Sequence, residues 1–170
     1  MNSLSSITVI GIAISALFHF VVSFASAQVP VKAPPLIVGK WKLNRGKSDM
    51  PPAPADIFEL REYRLRPDGY LVGLAISSTP RGYHYLQFTA KTDGKDYPEY
   101  TDDLVAEMIA TGKPTVRTYA EKVVDEYVSE WTDKADGRVI AQGLKTISKD
   151  GKTMTISQQG IPRTYIYDRQ

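Results

Sequence analysis

The sequence predicts an all-β, mainly antiparallel domain with one short helix, set behind an apolar leader. Three observations carry that expectation. Short segments with period-two alternation recur every ten to fifteen residues, turn signals separate them, and one stretch alone, 101–112, has helical spacing.

The leader comes first. From Ile7 to Ala25 there is no acidic residue, Lys or Arg, and the run ends in Ala25-Ser26-Ala27 before Gln28. Small residues at the first and third positions of that triplet are what signal peptidase accepts, so residues 1–27 read as a secretory signal peptide. The front end, Met1 to Ser6, has no Lys or Arg, and only the α-amino group supplies positive charge there. The competing reading is a retained anchor, because the run approaches the roughly 20 residues that cross a bilayer. A stop-transfer helix normally has basic residues close behind it, whereas residues 28–36 form a Pro-rich linker. Cleavage, no membrane span afterwards, and a secreted or periplasmic location are therefore expected.

Residues 37–170 are the length of one ordinary domain with a single core. The chain has no cysteine, so the fold must hold without disulfides, and Cys nucleophiles and thiolate metal sites are excluded. Net charge is +2, with Lys and Arg spread among Asp and Glu. Nucleic-acid binding calls for a basic stripe, and none is present.

Strands are expected at about 37–44, 57–66, 70–78, 83–91, 115–119, 123–132, 138–148, 152–159 and 163–169. Pro67-Asp68-Gly69, Asp93-Gly94-Lys95, Asp136-Gly137 and Asp150-Gly151-Lys152 supply the turns, each with a residue tolerant of positive φ. On the second strand Phe58, Leu60, Glu62 and Arg64 share one face, and Glu59, Arg61, Tyr63 and Leu65 the other. Neither face is cleanly apolar, and mixed inner faces suit a barrel with a partly polar lumen. In 101–112, Thr101 is a fit N-cap, Asp102 and Asp103 favour the positive end of the dipole, and Gly112 can end the helix in the left-handed conformation. Leu104 and Met108, four apart, give it an apolar stripe.

The phrase Val38-Gly39-Lys40-Trp41-Lys42-Leu43-Asn44, the Lys47-Ser48 pair and the Pro-rich loop Met50-Pro51-Pro52-Ala53-Pro54 together resemble the opening of small exported bacterial lipocalin-like (calycin-type) proteins of uncharacterised function. Further similarity lies in 89–98, 148–155 and the closing Tyr165-Ile166-Tyr167. The segment 101–112 and the Tyr-rich stretch from Tyr119 to Trp131 depart from that pattern. The resemblance implies an up-and-down lipocalin-like barrel over residues 37–170. It also implies that Trp41 closes the barrel end under an Arg near the last strand, with Arg163 and Arg169 both open as the partner. The alternative is a plain core aromatic at a strand start.

Candidate chemistry is sparse. His84, between Tyr83 and Tyr85, is the one histidine after the leader, and with Tyr85 and Glu62 it forms the candidate catalytic set. Adjacent strand residues face opposite ways, so His84 cannot share a lumen with both tyrosines. Asp96, Glu99, Asp102 and Asp103 lack the spacing of a calcium loop and read as a solvated acidic loop, so no metal is expected. No nucleophile motif and no phosphate-cradling loop occurs, and no cofactor is expected.

The ten tyrosines pair an apolar ring with a polar tip and suit the wall of a pocket. Tyr63, Tyr85, Tyr127, Trp131, Tyr165 and Tyr167 are the expected ligand-binding set. The leading functional expectation is binding of a small apolar or amphipathic molecule in the lumen. Its alternatives are a barrel enzyme of isomerase, cyclase or hydratase type and an envelope protein-interaction module.

Overall fold

The computed structural model of the chain describes residues 35–50, 58–80 and 82–170. The leader 1–27, the linker as far as residue 34 and the prolines of the loop after Met50 lie outside the described residues.

Ten strands, β1 (Gly39–Leu43), β2 (Glu59–Leu65), β3 (Leu71–Thr79), β4 (Gly82–Ala90), β5 (Tyr97–Thr101), β6 (Arg117–Val123), β7 (Val128–Ala135), β8 (Arg138–Ile147), β9 (Thr153–Gln158) and β10 (Ile161–Arg169), run in chain order around a closed antiparallel barrel. One helix, α1 (Asp102–Thr111), interrupts the meander between β5 and β6. Closure comes from β1 pairing with both β2 and β10, Trp41 lying opposite Arg61 on one side and Arg169 on the other. The fold is thus the calycin-like, up-and-down barrel with one short helix.

Because side chains alternate between faces, the registers fix the inner wall. Gly39, Tyr63, Gly73 and Phe88 lie side by side across β1 to β4, and Tyr119, Asp133 and Ala141 across β6 to β8. Phe88 shows how closely this wall is packed. A Cβ on Gly73 would overlap its ring, and the ring stacks on Tyr119 with centroids 3.8 Å apart.

An apolar plug fills the end of the barrel away from α1. Ile37, Trp41, Leu71, Ala90, Ile147 and Met154 are all buried there. Arg169 lies over the Trp41 indole at 4.2 Å from the ring centroid and donates to the carbonyls of Leu36, Val38 and Gly151. The indole Nε1 donates to the Ile37 carbonyl at 2.8 Å. Arg163 is exposed at the start of β10. The Gly-x-Trp phrase has a steric reason in this arrangement. Gly39 holds φ at 141°, and a Cβ there would come within 2.5 Å of Arg169 Nη1.

The structure differs from the sequence expectation in three places. Residues 97–101 form a strand where the sequence predicts loop, because Pro98 and two acidic neighbours hide the alternation. The hairpin between β6 and β7 turns at 124–127 instead of 120–122. Asp125 accepts from the N–H groups of Tyr127 and Val128 at 2.7 and 2.8 Å, which places Tyr127 in the turn. Thr101 stands at the N-cap of α1 with its side chain making no capping bond, while Gly112 ends the helix at φ 67° as its sequence position predicts. No residue of α1 is buried, and among the described residues no helix is long and apolar enough to cross a membrane.

Candidate functional site

Above the apolar plug the lumen opens into a cavity of about 280 Å³. Its wall combines aromatic and apolar groups (Leu86, Phe88, Tyr119, Trp131, Ile156, Tyr165) with charged ones (Glu59, Arg61, Glu99, Asp133, Lys145). Burying charges is costly unless each is paired, so the pairing decides what the site can do.

At the floor Lys145 is only 3% exposed. Its Nζ sits 5.1, 5.5 and 4.9 Å from the ring centroids of Tyr63, Phe88 and Tyr119, and 3.0 Å from Glu121 Oε2. Lys145 also donates to the Tyr119 hydroxyl, which in turn donates to Glu121, and Ser129 Oγ donates to the other Glu121 oxygen at 2.6 Å. Burial works against charge on Glu121. The Lys145 ammonium and the Ser129 and Tyr119 hydroxyls outweigh it and hold the carboxyl below its usual range. For Lys145, likewise, burial opposes the ammonium and Glu121 overrides it, so its pKa is raised. The Tyr119 phenol is pushed well up by burial and by Glu121. This group is an internally satisfied cation cage, filled by the protein's own lysine.

On the opposite wall Arg61 bridges to Glu59 at 2.6 Å, and Tyr167 donates to the same Glu59 oxygen at 2.8 Å. Arg61 Nε also donates to the Tyr167 hydroxyl at 3.2 Å, and its guanidinium lies 5.2 Å from the centre of that ring. Burial penalises the guanidinium, but Glu59 keeps it firmly charged, and burial raises the Tyr167 phenol far above its ordinary value.

The third group is less well satisfied. Glu99 is fully buried on β5 and meets Arg117 on β6 at 3.3 Å through Oε2 alone. Burial, reinforced by Asp133, raises the Glu99 carboxyl to about 7 despite Arg117. Asp133 on β7 is also raised by burial, with Lys145 and Arg117 opposing the shift. Among the described residues, four buried polar atoms in this corner have no hydrogen-bond partner: Glu99 Oε1, Arg117 Nε, Trp131 Nε1 and Asp133 Oδ1. A buried polar atom left unpaired costs about 1–3 kcal/mol, so this corner carries hydrogen-bonding capacity that the chain itself does not use.

The expected ligand set divides on the structure. Trp131, Tyr165 and Tyr167 line the cavity. Tyr63 is inward and buried beneath it, touching the Lys145 ammonium. Tyr85 is on the outer face of β4 beside Ile76, half exposed, and Tyr127 lies in the β6–β7 turn, so neither belongs to the lumen. Of the candidate catalytic set, Glu62 is on the outer face of β2 and pairs with Arg64 at 2.7 Å. His84 is on the inner face by register but at the α1 end, where its Nδ1 lies 2.6 Å from Asp102 Oδ1 and 3.8 Å from Asp103. These three residues bring possible metal-ligand atoms within 4.8 Å of one another, yet Asp102 Oδ1 already accepts from the Tyr85 N–H at 2.9 Å, and Asp103 is exposed.

Sequence reasoning missed Glu99, Tyr119, Asp133 and Lys145. One signal was available: the face of β2 that carries Glu59, Arg61 and Tyr63 continues, by alternation, the polar and aromatic lining of the lumen. Glu99 was hidden by its acidic neighbours, and Lys145 by standing beside Leu144, which is 43% exposed on the outer face.

No protein-family model matches the chain, and no curated protein is significantly similar to it. Among solved structures the barrel is similar to a Schistosoma mansoni fatty acid binding protein in complex with arachidonic acid. The TM-score is 0.52 at 14% identity, over 79% of this chain and 96% of that chain. At this identity the likeness is one of fold, and it places the chain's architecture among closed calycin-like barrels.

Proposed function

We propose that this protein is an exported binding protein that takes up a small amphipathic molecule in its barrel lumen. The observation that carries the reading is the cavity itself: about 280 Å³ inside a closed barrel, with aromatic walls and a corner of four unpaired buried polar atoms. Pockets for small molecules combine such apolar walls with a few convergent polar groups. The likeness to a fatty acid binding protein in complex with arachidonic acid supports the reading at the level of fold. Export rests on the leader sequence, and kinship to small exported bacterial lipocalin-like proteins rests on the opening motif.

Trp131 lines the cavity and reports on it. Titrating purified protein with a panel of fatty acids, isoprenoids and aromatic metabolites is expected to give saturable Trp fluorescence changes with at least one class. A flat response across the panel contradicts the reading. Mass measurement of the exported protein is expected to find Gln28 as the first residue, and a start at Met1 contradicts cleavage.

A second reading, the isomerase, cyclase or hydratase, draws on Glu99 instead of the outlying His84. A carboxyl that titrates near 7 beside a cavity has the proton affinity of a general acid–base. Turnover of a bound ligand that is lost in Glu99→Gln, with binding retained, is the result that favours it.

A further inference from the structure

We infer that the head group held in the lumen is a single organic cation, a protonated amine on an apolar body, and that Asp133 with Glu99 receives it. The inference rests on the reading of the lumen as a binding site and specifies the chemistry of its ligand.

The charge balance of the inner wall is the starting point. Around the cavity, away from Arg169 at the plugged end, three cations, Arg61, Arg117 and Lys145, face four carboxyl groups, Glu59, Glu99, Glu121 and Asp133. Each cation is bridged to one carboxylate: Arg61 to Glu59 at 2.6 Å, Arg117 to Glu99 at 3.3 Å and Lys145 to Glu121 at 3.0 Å. Asp133 is bridged to none of them among the described residues, and its Oδ1 is buried without a partner. With all four carboxyls ionised the cavity therefore lacks one positive charge, and the carboxylate left without a bridging cation is on β7.

The unpaired atoms point the same way. Asp133 Oδ1 and Glu99 Oε1 are acceptors in search of donors, which is what an ammonium supplies up to three times over. Trp131 Nε1 and Arg117 Nε remain as donors, suited to a hydroxyl or carbonyl oxygen next to the amine. A fatty-acid carboxylate would be the wrong ligand for this wall. Each cation that it might seek is already bridged to a carboxylate, Arg117 keeping only its Nε unpaired, and it would add a further negative charge beside Asp133 in a medium where like charges repel strongly. Aromatic rings on the same wall favour a cationic head and an apolar body together, as Lys145 already demonstrates against Tyr63, Phe88 and Tyr119.

The test compares three eight-carbon probes, octylamine, octanol and octanoate, titrated calorimetrically into the purified protein at pH 8. Octylamine is expected to bind at least ten-fold more tightly than octanoate. In Asp133→Asn that preference is expected to collapse. Octanoate binding as tightly as octylamine, or octanol binding where octylamine does not, overturns the cationic head group while leaving the lumen as a binding site. Binding of none of the three overturns both. An unchanged amine preference in Asp133→Asn overturns the role of that residue. The comparison in the unmodified protein stands whether or not the variant folds.

Discussion

Lys145 has given up water for three aromatic rings, one carboxylate and one phenol, and that exchange is favourable only while every partner is in place. Removing one member of a buried ion pair typically costs about 3–5 kcal/mol, because the survivor is left charged and dry. Lys145→Ala is therefore expected to lower unfolding free energy by about that amount in urea titrations. Removing both charges in Lys145→Met with Glu121→Leu is expected to cost less than Lys145→Ala alone. Glu99 makes a different prediction. Its carboxyl rises from an ordinary 4.5 to about 7 on folding, through burial and the neighbouring Asp133 and against Arg117 and Lys145. Below 4.5 it is protonated in both states. Between the two values the folded state keeps a proton that the unfolded state releases, so stability falls as pH rises through the window, by on the order of 3 kcal/mol in total. Thermal unfolding is expected to be higher at pH 5 than at pH 8, and Glu99→Gln to flatten that slope. A midpoint rising from pH 5 to pH 8 contradicts this role for Glu99.

At the scale of elements, the barrel's closure depends on how β1 meets β10. Gly39 combines a positive φ with the approach of the Arg169 guanidinium, so Gly39→Ala faces both backbone strain and a clash. Strain of this kind costs about 1–3 kcal/mol, and the melting temperature of Gly39→Ala is expected to fall accordingly. Arg169→Lys is expected to lose stability too, since an ammonium cannot fork to the Leu36, Val38 and Gly151 carbonyls while stacking on Trp41. These contacts explain which parts of the fold were legible. Turn residues such as Asp136-Gly137, both at positive φ, declare themselves through local chemistry, and the hairpins follow. β5 does not declare itself: five residues with Pro98 in the second position and Glu99 in the third offer no apolar alternation, and only the strands on either side make them a strand. The β6–β7 turn misled for a related reason, because Val123, Val124 and Tyr127 look like strand residues while Asp125 folds the backbone between them.

Across the whole molecule the usual polarity of a β-barrel is partly reversed. Lys145 is buried while Leu144 beside it is 43% exposed, and Glu99 is buried while Tyr100 is 59% exposed. A reading that sends apolar residues inwards recovers the strands of such a chain and assigns several of them the wrong face. That is why the barrel was legible and the charged lining largely was not: Trp131, Tyr165 and Tyr167 were reachable from composition, whereas Asp133 and Lys145 acquire their meaning only from register. Ala141, a small residue beside Asp133 on the cavity wall, offers the most direct check. An indole at that position occupies the cavity, so Ala141→Trp is expected to abolish the saturable ligand response measured by calorimetry while unfolding stays cooperative. A folded Ala141→Trp that binds the same ligand with the affinity of the unmodified protein would contradict the claim that the lumen is the binding site.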